Sequence, residues 1–485
     1  MSSCDFLVLG GGIAGVTCAE TLSALCPSKS IFLLTASKLI KAVTNYHKVT
    51  RTLEQFDVEE RHMSTMEAEC ANVKVIQKIV KSLDTDKHEV LTNDGSVIQY
   101  GMLCICTGAK PKVIADNPHV LGIRDTESVQ AFQRRLHNAR RIIVVGNGGI
   151  ATELVYEVEG CDVIWAIKDA SITSNFIDPG AAQFCLPGLN ADKKLADRPI
   201  KRLKYTEQVS APSGATNRAS AAYGSALGPD WMVDLEMTGS KERGHRIHVD
   251  YEVEVAGIYS PTELSDSGKS ATAFEGSLPD DCWPVYVELT NKKIYGCDFV
   301  VSATGVVPNT ELFAPNNFSI GADGGINVDS TMQTSIADVY AAGDVCNASW
   351  EHAPHWLQMR LWSQARQMGA YAAKCMVARS QGADIHMDFC FELFAHVTKF
   401  FNYKVILLGK FNAQDLQDHE LLLRVTKGEE YVKVVLQDNR MQGAVLIGDT
   451  NLEETFENLI LNQTDLTLLK EHLLEPNVDI EDYFD

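Results

Sequence analysis

The chain has 485 residues, 45% of them hydrophobic, and a formal net charge of −21. That length suffices for two or three domains with full-sized cores, and the acidic balance speaks against general affinity for nucleic acid or an acidic membrane surface. No apolar run is long enough to span a bilayer, the first strand begins too close to the N-terminus for a signal peptide, and thirteen scattered cysteines with no C-x-x-C indicate neither a zinc site nor a disulfide framework. A reducing compartment, cytoplasm or nucleus, is the expected location.

Residues 6–9 read as a short buried strand, followed by Gly10, Gly12 and Gly15 in the spacing G-x-G-x-x-G. Ile13 and Ala14 open a helix carried by Val16, Cys18, Ala19 and Leu22, and residues 31–34 form a second strand. One glycine makes the tight turn, one lets backbone approach a pyrophosphate, and one lets helix and strand pack closely. The unpaired N–H groups and positive end of the helix favour a phosphate at that turn. Strand, glycines, helix and strand arrive in the order a dinucleotide site requires. The acid that normally takes the ribose hydroxyls about 20 residues later is replaced by Thr35, a weaker, uncharged partner.

Residues 37–71 are polar and read as helical, with Lys41 near the start, either beside a bound ring or as a solvated lysine. Residues 73–100 shorten to strands, with Asp94-Gly95 as a hairpin turn. The strand 103–106 follows, then Thr107, Gly108 and Ala109; Cys104 and Cys106 face one side of it as small hydrophobes.

A second cycle starts at Arg140: strand 142–145, Gly146 and Gly148, Ala151 as the tolerated third small residue, Glu153 on the helix, and strand 163–167. The stretch "LTNDGSVIQYGMLCICTGA" from Leu91 aligns with "LTNKKIYGCDFVVSATGV" from Leu289, so the cycle ends, as the first does, in Thr-Gly: Thr304-Gly305. Two copies of one dinucleotide-binding architecture are the strongest internal signal. The second copy is roughly 60 residues longer, and the surplus fits the Ser-, Ala- and Gly-rich residues 204–231, read either as a lid or docking loop or as a tolerated surface insertion.

Residues 339–341 form a short strand ending at Gly343-Asp344, where a carboxylate can accept hydrogen bonds from polyol hydroxyls. Residues 356–378 read as one long helix, and from Phe389 the chain is strand-rich with a terminal helix near 452–461. The tail "EPNVDIEDYFD" is acidic, either solvated or a docking segment. The fold expected is α/β: two nested Rossmann-like dinucleotide-binding domains, 1–139 continued by 309–385, and 140–308 with an insertion near 200–245, plus a smaller α+β domain at 386–485.

These five ordered motifs, with the repeat, resemble the pyridine nucleotide–disulfide oxidoreductase family over nearly the whole chain. The resemblance implies FAD on the first unit and NAD(P)H on the second. By motif match Gly10, Gly12 and Gly15, with Ile13 and Ala14, hold the FAD pyrophosphate and Asp344 the ribityl chain; Gly146, Gly148 and Glu153 line the nicotinamide dinucleotide site. Thr35, Lys41, Thr107, Gly108, Lys168, Gly305 and Gly343 complete the candidate cofactor-binding residues. Lys41 is the single candidate catalytic side chain beside the flavin itself, and no metal is expected. The long helix is expected to point at the flavin O2 edge. The stretches "IKAVTN", "WAIKD", "LWSQARQMG" and "DIEDYFD" resemble one branch of the family more narrowly, which implies association with the tRNA-ligase complex as a safeguard against oxidation.

The departures bear on mechanism. Residues 37–51, where the family carries its redox cysteines, contain none, and Cys375 and Cys390 stand alone. At the end of the second unit's strand the expected acid is replaced by Ile167, followed by Lys168, which leaves NADH and NADPH both open. Two functions follow: an FAD-dependent NAD(P)H oxidoreductase passing electrons to an unidentified non-disulfide acceptor or oxygen, or an NAD(P)H- and FAD-bound interaction protein guarding a redox-sensitive partner.

Overall fold

The structure, a computed structural model, describes residues 2–189, 228–229, 231–232, 235–240, 246–273 and 282–475. The expectations for the acidic tail and for nearly all of the 204–231 insertion lie outside the described residues.

The first sheet is built on Ser2–Leu9, with Ile31–Thr35 and Val97–Ile105 parallel on its two sides and Val73–Gln77 beyond Ile31–Thr35. Phe6, Leu7, Val8 and Leu9 are all buried, as expected of a parallel strand covered on both faces. Val339–Ala341 adds to Val97–Ile105 in parallel. The chain therefore leaves this sheet, builds a second one and returns. The second sheet is parallel throughout, in the order Val120–Gly122, Phe299–Ser302, Arg141–Val145, Asp162–Ala166, Ile247–Asp250. Antiparallel hairpins accompany both: Glu89–Thr92 with Val97–Ile105, and Val285–Leu289 with Ile294–Cys297. The C-terminal part is a five-stranded antiparallel sheet backed by the helix Glu453–Asn462. No described helix is long and apolar enough to cross a membrane.

Two expectations need correction. Residues 37–71 are chiefly an antiparallel strand pair, Leu39–Lys48 with Glu54–His62, and only Ser64–Glu69 is helical. Ile40 and Ala42 are buried while Leu39, Lys41 and Val43 are less so, and Glu54, Phe56 and Val58 alternate with exposed neighbours. That period of two, not polarity, is the deciding signal. The long helix is Trp362–Gln381, starting six residues later than expected. Gln364 accepts from Met359 N at 2.7 Å and donates to Leu357 O at 2.7 Å, which pins the preceding segment outside the helix.

Candidate cofactor site

The two fingerprints are one construction made twice. Gly10 has φ +119° and Gly146 φ +128°; a Cβ on them would stand 2.2 Å from Cys106 O and 2.1 Å from Ala303 O. Cys106 N is bonded to Leu9 O, and Ala303 N to Val145 O, each at 2.8 Å. So in each copy the glycine loop is wedged against the strand that ends in Thr-Gly, and any side chain would force the two apart. Gly12 and Gly148 are extended residues at the helix N-termini, without side-chain caps. A Cβ on Gly12 would meet nothing within 4 Å, and on Gly148 only Asn175 Nδ2, at 3.9 Å. The first N–H groups of both helices lack intrahelical partners at a place where backbone, not side chain, faces open space.

Both loops open into one cavity of about 1450 Å³. Its wall includes Gly10, Gly12, Ile13, Ala14, Thr35, Lys41, Thr107, Gly108 and Asp344 from the first half, and Gly146, Gly148, Glu153, Lys168 and Gly305 from the second. Gly15 and Gly343 stand behind the wall. A Cβ on Gly15 would be 1.9 Å from Gly10 O, and one on Gly343 2.8 Å from Ala14 Cβ. Their work is close packing of the loop.

Polar contacts define the rest. Asp344 is buried and forms an ion pair with Arg124. Burial pulls the Arg124 pKa down to about 10, against the opposing pull of Asp125. Lys41 pairs with Glu60 at 3.4 Å, and burial lowers its pKa from the ordinary lysine value despite that carboxylate. Thr35 lies on the wall, yet its hydroxyl donates to Ser37 O at 3.2 Å and accepts from Ser37 N at 3.3 Å, which ties it to its own turn. Thr107 Oγ1 donates to Asn309 O at 3.1 Å, Asn309 Nδ2 returns a bond to Thr107 O at 2.9 Å, and Thr304 Oγ1 donates to Lys112 O at 2.7 Å. The two Thr-Gly corners thus brace the crossing strands Ala109–Pro111 and Val306–Pro308 that join the halves. Glu153 accepts from Trp231 Nε1 at 2.8 Å.

The second half corrects one expectation. Ile167 is fully buried and offers no group to a ligand, but a carboxylate is present on the wall two residues further on, Asp169. Asn147 Nδ2 and Ser174 Oγ hold its Oδ2 at 2.8 and 2.9 Å. Lys168 is exposed at the rim. Sequence reasoning passed over Arg124, Glu60 and Asp169. The first two sit in segments without a motif; Asp169 directly follows Lys168, and the strand ending at Ala166 leaves room for the extra turn that brings it in.

The residues fit two dinucleotides: two glycine cradles that a Cβ would fill or wedge apart, each at a helix N-terminus, and one buried carboxylate beyond a strand end. Two such cradles on one cavity define a dinucleotide-dependent flavoprotein of the two-domain reductase type. The sequence matches the family described as pyridine nucleotide-disulphide oxidoreductase over residues 4–183 and 266–369, and the rubredoxin NAD+ reductase C-terminal domain over 395–464. The chain belongs to the pyridine nucleotide-disulphide oxidoreductase family; it binds FAD and NAD(P)H and is an oxidoreductase dependent on them. It is 57% identical to pyridine nucleotide-disulfide oxidoreductase domain-containing protein 1 of Pongo abelii, over 99% of this chain and 98% of that one. Among solved structures, the fold is shared with NADH:rubredoxin oxidoreductase from Clostridium acetobutylicum (TM-score 0.57, 17% identity, 97% of this chain and 98% of that one). It is also shared with the water-forming NADH oxidase from Lactobacillus brevis (TM-score 0.63, 16% identity, 96% and 92%).

Proposed function

We propose that this protein passes electrons from NAD(P)H through FAD directly to a non-disulfide acceptor, with no cysteine relay. The observation that carries this reading is the cavity wall: Cys106 is the single cysteine among its described residues. Its thiol lies 3.6 Å from Cys104, both buried beside the first fingerprint helix. The hydrogen bond with Cys104, together with burial, holds the Cys106 pKa well above the ordinary thiol value, whereas a relay thiol must ionise readily and be reached by its partner.

When bound, FAD would supply the redox chemistry: a hydride leaves NAD(P)H to give NAD(P)+, and its two electrons pass on either together with protons to a two-electron acceptor or singly to two molecules of a one-electron carrier, the protons then going to solvent. Gly12 and the helix after it would bind the FAD pyrophosphate, and Asp344, oriented by Arg124, would accept from the ribityl hydroxyls. Gly148 and its helix would bind the nicotinamide dinucleotide, with Asp169 as the acceptor for its ribose hydroxyls. Lys41, fixed by Glu60, places a cation on the wall of the first half. Similarity of the C-terminal part to a rubredoxin NAD+ reductase domain supports a small redox protein as acceptor, and the shared fold of an oxygen-reducing oxidase is compatible with oxygen.

A second reading, a cofactor-bound guard of a redox-sensitive partner in the cytoplasm or nucleus (by resemblance the tRNA-ligase complex), draws on the edge strand Glu420–Thr426. It exposes Leu421, Leu423 and Val425 along one face, and an apolar edge of that kind is suited to a partner. In that case NAD(P)H would alter partner affinity with little turnover.

The test is alkylation of accessible thiols in native, FAD-loaded protein, followed by anaerobic reduction with NADH. The rate of flavin bleaching should be unchanged. Loss of reduction in protein that remains folded and FAD-bound would restore a thiol relay.

A further inference from the structure

The strand Ala395–Phe400 of the C-terminal sheet closes the cavity with alternate residues, His396, Thr398 and Phe400. At one end Phe400 meets Phe176 of the second half, ring centroids 5.3 Å apart. At the other, His396 lies against the start of the long helix Trp362–Gln381: its ring centroid is 4.8 Å from that of Trp362, and its Nδ1 is 3.0 Å from Ser363 Oγ. The residue is 1% exposed, and Nε2 is buried with no hydrogen-bond partner among the described residues. An unpaired polar nitrogen in the interior carries a free-energy cost, and because His396 is a residue of the cavity wall, a ligand atom that reaches Nε2 would remove it. Burial pushes the His396 pKa down to about 3, so the ring is neutral. The helix start beside it presents N–H groups that no preceding turn can satisfy, the first intrahelical bond being Ala365 N to Leu361 O.

We propose that His396 is a positioning residue for the bound flavin. Ser363 donates to Nδ1 and thereby leaves the ring proton on Nε2, and Nε2–H donates a hydrogen bond to a carbonyl of the flavin ring at the start of the long helix. Two sets of donors, the helix N–H groups and the imidazole, then face the same electron-rich edge. They favour the reduced ring, which carries more negative charge there. The inference rests on the FAD assignment made above.

The test uses the FAD-loaded protein and an equilibrium titration of the flavin midpoint potential against redox dyes, in wild type, His396→Ala, His396→Gln and Ser363→Ala. His396→Ala should retain FAD but lose about tenfold in preference for the reduced over the oxidised ring, a potential about 30 mV more negative for this two-electron couple. His396→Gln, whose amide reaches where Nε2 was, should recover part of that shift. Ser363→Ala should move the potential the same way by less, because Nδ1 loses the donor that fixes the tautomer. An unchanged potential in His396→Ala overturns the proposal. So does an unchanged potential accompanied by weaker NAD+ binding with ADP-ribose binding intact, which would assign the hydrogen bond to the nicotinamide carboxamide. If His396→Ala does not fold, wild-type potentials in both other variants overturn the proposal equally. Wild-type protein that fails to bind FAD would defeat the cofactor assignment instead, a result distinct from any of these.

Discussion

Asn147 Nδ2 donates a 2.8 Å hydrogen bond to Asp169 Oδ2, joining the residue between the two glycines of the second fingerprint to the acid beyond its second strand. Asn147 also donates to Ser171 O and Ser174 Oγ, each at 2.9 Å, and its Oδ1 accepts from Thr173 N at 2.5 Å. The second glycine loop therefore also fixes a carboxylate on the cavity wall.

Cofactor choice follows from that arrangement. A carboxylate at this place accepts from ribose hydroxyls and repels a 2′-phosphate, so NADH should bind more tightly than NADPH, and Asp169→Asn should reduce the difference. Lys168, exposed at the rim, acts in the opposite sense. Lys168→Glu should weaken NADPH relative to NADH by no more than about 1 kcal/mol, roughly tenfold, because solvent screens the charge. Dissociation constants for both cofactors at one salt concentration decide this. An unchanged ratio in both variants would mean that neither side chain reaches the ribose.

Gly12→Val should abolish FAD retention while leaving the chain folded. The added side chain points into open cavity and strains nothing in the protein itself, so its effect falls on the ligand alone. Flavin content of the purified variant, with circular dichroism as the folding control, is the measurement; stoichiometric FAD would remove the first fingerprint from the cofactor site.

The pair of Arg124 and Asp344 should be strongly coupled. Arg124→Ala leaves a buried carboxylate without its cation, which should cost on the order of 2 kcal/mol. The double variant Arg124→Ala/Asp344→Asn should recover part of that, since the uncompensated charge is gone. Thermal midpoints of the apoprotein forms give the coupling energy; additive single effects would mean that Arg124 is not Asp344's partner in solution.

Glu20, on the first fingerprint helix, gives a pH signature. Burial, with Glu69 nearby, raises its pKa from 4.5 to about 7. A carboxyl whose folded pKa is raised favours the protonated fold, so this stability is present below about pH 4.5 and is lost as pH rises through about 7. Glu20→Gln, a fixed neutral analogue, should raise the thermal midpoint near pH 8 by an amount equivalent to on the order of 1 kcal/mol and change little below pH 5. Equal shifts at both pH values would contradict the assignment.

The parts of this molecule that could be read from the chain are those where local chemistry dictates geometry. Gly10, Gly12, Gly146 and Gly148 declare a strand–turn–helix by spacing alone, and the Thr107 and Thr304 endings mark where each unit closes. For Lys41 the sequence leaves two readings, beside a bound ring or solvated; the structure sets it on the cavity wall, paired with Glu60, and on a strand where a helix is expected, because a half-buried polar strand resembles a polar helix until its period is counted. Thr35 stands where a ribose ligand was expected, yet its hydroxyl is turned to Ser37. That outcome depends on a hydrogen bond between residues two apart, which composition does not reveal. Arg124, Glu60 and His396 reach the cavity from other segments of the chain. Their roles arise from how distant elements pack, so no local pattern announces them.

The central claim, electron flow without a cysteine relay, is tested most directly by the stoichiometry of anaerobic reduction. A flavin acting alone takes up one hydride, so one equivalent of NADH per bound FAD should bleach the oxidised flavin absorption completely, with the free-thiol count the same before and after. A requirement for a second equivalent, accompanied by the appearance of two new thiols, would show a disulfide in series with the flavin and contradict this account.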